Sequence, residues 1–116
     1  MAEKDGITED LRHEIVDNAD FLVETDRANL LEITLSFQSR VKPERHAWID
    51  TRMGSSGDGF TVDLEDWAYE KSWDNAVATI DTEDISVARD VTRSWLQGDS
   101  LDTALEYCTD ATVERK

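Results

Sequence analysis

Three things are scarce in this 116-residue chain: cysteine, proline and positive charge. A single cysteine, Cys108, forms no intramolecular bridge and offers no Cys-based zinc site, which points to a reducing, intracellular setting. One proline and five glycines leave no Pro/Ser-rich linker and no low-complexity segment. No apolar run approaches the ~20 residues of a membrane-spanning helix, and residues 1–10 lack the pattern of a signal peptide. Only 12 Lys plus Arg stand against 27 Asp plus Glu, a formal net charge of −15, so the chain has no electrostatic footprint for nucleic acid. The length suits one domain and suffices for a core without a metal.

What is abundant is aspartate. Sixteen Asp exceed eleven Glu, eight Arg exceed four Lys, and the acids are dispersed from Glu3 to Glu114 rather than gathered in a tail. A dispersed negative surface repels itself, and only concentrated salt shortens the Debye length to about 3 Å. Short, strongly hydrated carboxylates with few lysine stems suit such salt. In this respect the whole chain resembles the cytoplasmic proteins of extreme halophiles, haloarchaea above all. The resemblance is one of composition, carries no motif and implies a cytoplasmic location but no activity. The competing explanation is an acidic chain built to cover a basic partner, as an antitoxin, an immunity-type inhibitor or a nucleic-acid mimic does. Complementary charge speeds such an encounter, and concentrated salt screens it, so the two explanations partly exclude one another.

Along the chain, Leu11, Ile15, Ala19, Leu22 and Val23 follow Thr8 at helical spacing and predict a helix over 8–24 with Thr8 as its N-cap. Leu31, Ile33, Leu35 and Phe37 alternate with polar residues, a period-two strand over 31–38. Lys42-Pro43-Glu44 is a turn, residues 45–53 a second strand, 54–59 a glycine-rich hairpin loop and 60–65 a third strand. A fourth follows at 75–80. Asp81 or Thr82 caps the next helix, whose apolar stripe is Ile85, Ala88, Val91, Trp95 and Leu96, and Gly98 terminates it. Asp99 or Ser100 opens a last helix through Cys108, and residues 111–116 read as a disordered tail beyond a single domain over 1–110. The resulting fold is α+β in two layers: a four-stranded, mainly antiparallel sheet with helices on one face, in the order α-β-β-β-β-α-α.

The second strand is the most informative segment. One of its faces carries Ala47, Ile49, Thr51 and Met53, the other His46, Trp48, Asp50 and Arg52. Burying the second set would cost several kcal/mol per ion, so the first set turns to the helices. That leaves Trp48 on an open face with His46, Asp50, Arg52, Asp63 and Glu65. An indole on a polar sheet face is a candidate recognition surface, for a protein partner or for a second copy of the chain as a homodimer; the alternative is that the Trp67–Trp73 loop or a second subunit covers Trp48 with no ligand involved. Trp67 and Trp73, with Tyr69 between them, lie in an adjoining loop that either closes an edge of the core or forms a groove for a peptide. The function read from this is a non-enzymatic protein-contact, adaptor or regulatory module, with no cofactor, no metal, no nucleic acid and no membrane. The alternative from another class is a small metal-dependent or hydrolase-like enzyme centred on His46 and nearby carboxylates, although no nucleophile or oxyanion stabiliser stands nearby.

Four other patterns are weaker. His13-Glu14-Ile15-Val16-Asp17 resembles a zinc-protease helix but has Asp17 where the second histidine belongs, and is more simply the solvated side of a helix. Gly54–Gly59 has the glycine density of a phosphate cradle without its lysine or its following helix. Asp81-Thr82-Glu83-Asp84 has the alternate acids of a calcium loop but lacks its glycine and distal glutamate, and helix capping accounts for it. Finally, residues 85–108 have the spacing of a helix-turn-helix, but Asp99 and Asp102 would face phosphates.

Overall fold

The alternating segments do become strands, but the sheet they enter has six members rather than four. The structure is a computed structural model that describes residues 2–25, 35–52, 59–67 and 76–115, with the backbone alone for 2–8, 51 and 52. The elements in chain order are α1 (Ala2–Val16), β1 (Leu22–Glu24), β2 (Leu35–Ser39), β3 (Arg45–Arg52), β4 (Gly59–Asp66), β5 (Ala76–Thr82), α2 (Ile85–Leu96), α3 (Leu101–Leu105) and β6 (Thr112–Arg115). The sheet order is β1-β2-β3-β4-β5-β6 and each neighbouring pair is antiparallel. The α+β class stands; the four-stranded sheet and the order α-β-β-β-β-α-α do not.

The first correction lies in the helix expected over 8–24. It starts at Ala2, so Thr8 is inside it rather than capping it, and it ends at Val16. Asn18 takes the left-handed backbone conformation (φ 52°) that ends helices. The Arg93 guanidinium of α2 then donates to the orphan carbonyls of Glu14, Ile15 and Asp17 at 3.2, 2.7 and 2.9 Å. Released from the helix, Leu22–Glu24 pairs with Phe37–Ser39 as β1. The second correction is the tail. Thr112–Arg115, expected within the disordered segment 111–116, pairs with Ala78–Asp81 as an edge strand in which all four residues are exposed. An edge strand is held by main-chain hydrogen bonds and needs no apolar face.

One sheet face is closed by the helices. Leu35, Phe37, Ala47, Ile49, Phe60, Val62, Leu64, Ala78 and Ile80 pack there against Leu11 and Ile15 of α1, Ala88, Val91, Trp95 and Leu96 of α2, and Ala104 of α3. Caps fall close to the expected places. Asp84, rather than Asp81 or Thr82, is the N-cap of α2 and accepts from the Ser86 amide at 2.8 Å, while Thr82 accepts from the Asp84 amide. Ser100 caps α3, which ends at Leu105 rather than Cys108. Gly98 ends α2 with φ 105°, a conformation that glycine adopts without a Cβ penalty, and an added Cβ would sit 3.4 Å from Val41. Cys108 is half-buried, and burial pushes its thiol pKa up. Among the described residues no helix is long and apolar enough to cross a membrane.

Candidate functional site

Strand alternation builds the site. In β3, Ala47 and Ile49 are fully buried beneath the helices, so His46, Trp48 and Asp50 project from the opposite face. The register across the sheet aligns them in rows. Gln38, His46, Glu65 and Ala76 form one row; Ser36, Trp48, Asp63, Thr79 and Glu114 the next; Asp50, Thr61, Asp81 and Thr112 a third. No described helix lies over these rows. Trp48 is half-buried, Asp63 stands directly across from it on β4, and Asp50 lies two residues further along β3.

At one end of the face the chain folds back on itself. Trp67, just beyond β4, donates from its indole Nε1 to Glu65 Oε1 at 2.9 Å, and its ring meets the His46 imidazole edge-on at 5.6 Å between centroids. Glu65 is thereby only 5% exposed although it belongs to the open face. Trp67 therefore closes over the polar face, not over the edge of the apolar core. Its partner in the expected aromatic loop, Trp73, lies outside the described residues, as do Tyr69, Met53 and the loop over 54–58. Arg52 shares the open face by register, opposite Gly59, and its side chain is not described.

Two carboxylates of the face accept from threonines. Thr79 Oγ1 donates to Asp63 Oδ1 and Thr61 Oγ1 to Asp81 Oδ1, both at 2.7 Å. Hydroxyls fix an orientation and take no charge away. On the helical side, described arginines bind acids. Arg12 donates to Glu24 at 2.7 Å, Arg89 bridges Glu14 and Asp90, and Arg115 reaches Asp102 of α3. The hydrogen bonds and charges of these carboxylates raise the pKa of Arg12 and Arg89 above the ordinary arginine value.

Arg45 was not among the residues expected at a site, and the rule used to orient β3 would have kept it out of the helical layer. It nevertheless lies on the same face as Ala47 and Ile49 and is 8% exposed. Its guanidinium stacks on Trp95 at 3.7 Å and donates to the carbonyls of Trp95 and Asp99 at 2.9 and 2.6 Å, at the C-terminal end of α2. Burial lowers its pKa, opposed by Asp66, Glu44 and Asp99. From the same place the Trp95 indole donates to the carbonyls of His46 and Glu65, each at 3.2 Å. The helical layer thus fixes the backbone of two open-face residues from behind.

The remaining patterns have structural explanations. A shallow depression of about 830 Å³ is lined by Asp81, Thr82, Glu83, Asp84, Ile85, Asp110 and Thr112, but Asp84 is spent on the cap and Asp81 receives Thr61. His13 is exposed beside Glu9, Glu14 receives Arg89, and Asp17 offers its carbonyl to Arg93. Among the described residues no group of three or more His, Cys, Asp or Glu is placed to hold a metal ion. Comparisons with protein-family models, with curated proteins and with solved structures give no match.

Proposed function

We propose that this chain is a non-enzymatic protein-contact module of a salt-rich cytoplasm that docks through its open sheet face. One observation carries the reading: a sheet closed on one side by three helices presents, on the other, Trp48 in a frame of His46, Asp50, Asp63 and Glu65 with no described helix above it. An indole at the centre of a polar patch supplies the large, rigid contact area on which binding energy concentrates. Trp67 extends the apolar part of the patch at one end, and Trp73 belongs to the segment that follows Trp67. A second reading, a small enzyme centred on His46, draws on the shielded Glu65 carboxylate beside the imidazole, a pairing that suits general acid–base work.

The two readings separate by mutation. Trp48→Ala abolishes capture of the partner by the full chain, with the circular dichroism spectrum unchanged, if docking is the function. An activity that disappears with His46→Ala, together with partner capture indifferent to Trp48, would establish the enzyme in its place.

A further inference from the structure

We infer that Trp67 is a pH-sensitive latch over one end of this face, seated more tightly when the His46 imidazole carries a proton than when it is neutral. Its bearing on docking rests on the reading above; the latch itself stands on local geometry. Three described contacts hold it. The Trp67 amide donates to the Glu44 carbonyl at 2.8 Å, and its indole Nε1 donates to Glu65 Oε1 at 2.9 Å. Its ring lies 5.6 Å from the His46 imidazole, centroid to centroid, with the planes at 60°. His46 and Glu65 are cross-strand partners in the β3–β4 pair, so carboxylate, imidazole and indole meet at one place.

The backbone under the latch is fixed, because the Trp95 indole donates to the carbonyls of both His46 and Glu65. What varies is the charge on His46, since histidine is the side chain that ordinarily titrates between about pH 5 and 8. Neutral imidazole offers the indole an edge-to-face ring contact. Imidazolium adds two attractions. A ring quadrupole draws a cation held within about 6 Å of its centroid, and the Glu65 carboxylate, 5% exposed, is little screened by solvent. His46 is only half-buried, so the desolvation that opposes its proton is partial. The sign follows by linkage: a group that holds imidazolium better than imidazole raises the pH at which the proton leaves. The tighter seat is present below that pH and lost above it.

The other charged groups around His46 on the described elements are Asp63 on β4, Asp50 along β3, Glu44 just before β3 and Arg40 just after β2. Its row neighbours Gln38 on β2 and Ala76 on β5 carry no charge, and Arg45 and Asp66 turn to the helical side. Aspartate and glutamate ordinarily ionise near pH 4 and arginine above about 12, so these charges stay constant while histidine titrates. The chain's other histidine, His13, is exposed on α1 beside Glu9. Seated, Trp67 shields Glu65; released, it offers that carboxylate, so pH sets how much of the face a partner meets.

The test is a pH titration of the full chain, at a KCl concentration where circular dichroism shows it folded throughout. The chemical shifts of the His46 ring and the Trp67 indole N–H are followed. Both are expected to trace one step with a common midpoint in the histidine range. His46→Gln should flatten the Trp67 step, while His13→Gln leaves it. Trp67→Ala should lower the His46 midpoint by about half a pH unit, and so should Glu65→Gln, which keeps an oxygen acceptor for the indole. Trp67 resonances that stay put while His46 titrates would overturn the inference. So would a step that survives His46→Gln, or a midpoint unmoved in both Trp67→Ala and Glu65→Gln. The parent titration needs no substitution, so the first of these outcomes is read even where a variant fails to fold. Failure of the docking reading is a separate result, partner capture indifferent to Trp48→Ala, and leaves the Trp67 step as it is.

Discussion

The two faces of this sheet solve opposite problems with the same sparse supply of positive charge. On the helical face, arginines close helix ends and bind acids: Arg93 at the C-terminus of α1, Arg45 at the C-terminus of α2, Arg12 and Arg89 between elements. On the open face, threonines hydrogen-bond two of the carboxylates. A cation at a helix C-terminus serves the fold directly, because it meets both the orphan carbonyls and the negative end of the helix dipole. A carboxylate clamped by a hydroxyl is positioned but keeps its charge. One face is therefore organised for stability, and on the other the described hydrogen bonds position carboxylates.

The largest expected effect falls on the helical face. Trp95→Ala removes a side chain that is 2% exposed, the platform under Arg45 and the donor to the His46 and Glu65 carbonyls. Truncating a buried aromatic costs about 3–5 kcal/mol, a large part of what a small domain has. Urea unfolding should show a midpoint displaced by that amount or a chain unfolded outright. A midpoint close to that of the parent chain would show that the helical layer is not what holds the sheet.

Arg45→Met comes next and is a contest of two terms. Removing the guanidinium relieves the burial that already lowers its pKa, and Met retains much of the apolar stem. Against that, the carbonyls of Trp95 and Asp99 lose their donor and the stack on Trp95 is lost. Orphaned buried acceptors cost about 1–3 kcal/mol each, so the net is a destabilisation of about 1–3 kcal/mol by urea unfolding. A more stable variant would mean that the buried ion is a burden kept for another purpose.

How much of this is legible in the sequence depends on whether a residue's partner is near or far along the chain. The orientation of β3 follows from strict alternation and the cost of burying Asp50, both local, and it places Ala47 and Ile49 inside. The face of Glu65 follows from the same alternation; its cover, Trp67, is two residues on and shares that face, a spacing that sequence alone discloses. Leu22 misleads because its distance from Ile15 fits a helix as well as a strand, and pairing with Ser39 decides the matter. Thr112–Arg115 misleads because an edge strand carries no apolar signature. Arg45 is the clearest lesson. A rule against burying an ion assumes that no acceptor awaits it, and its acceptors are 50 and 54 residues away.

The smallest expected effect has the opposite sign, and it bears most directly on the comparison of the two faces. Asp63→Asn and Asp81→Asn together keep an Oδ1 acceptor for Thr79 and Thr61 while removing two charges from the open face. If those carboxylates cost the fold something, the double variant gains a few tenths to about 1 kcal/mol in dilute buffer. The gain should vanish near 1 M KCl, where the Debye length is about 3 Å and the repulsion is already screened. Chemical unfolding at several salt concentrations reads both the sign and its decay. A variant less stable at every salt concentration would mean that these carboxylates stabilise the sheet, and the division of labour between the faces would fail. A gain in stability accompanied by weaker partner capture would instead mark the charges as kept at the expense of the fold, as groups retained for recognition are.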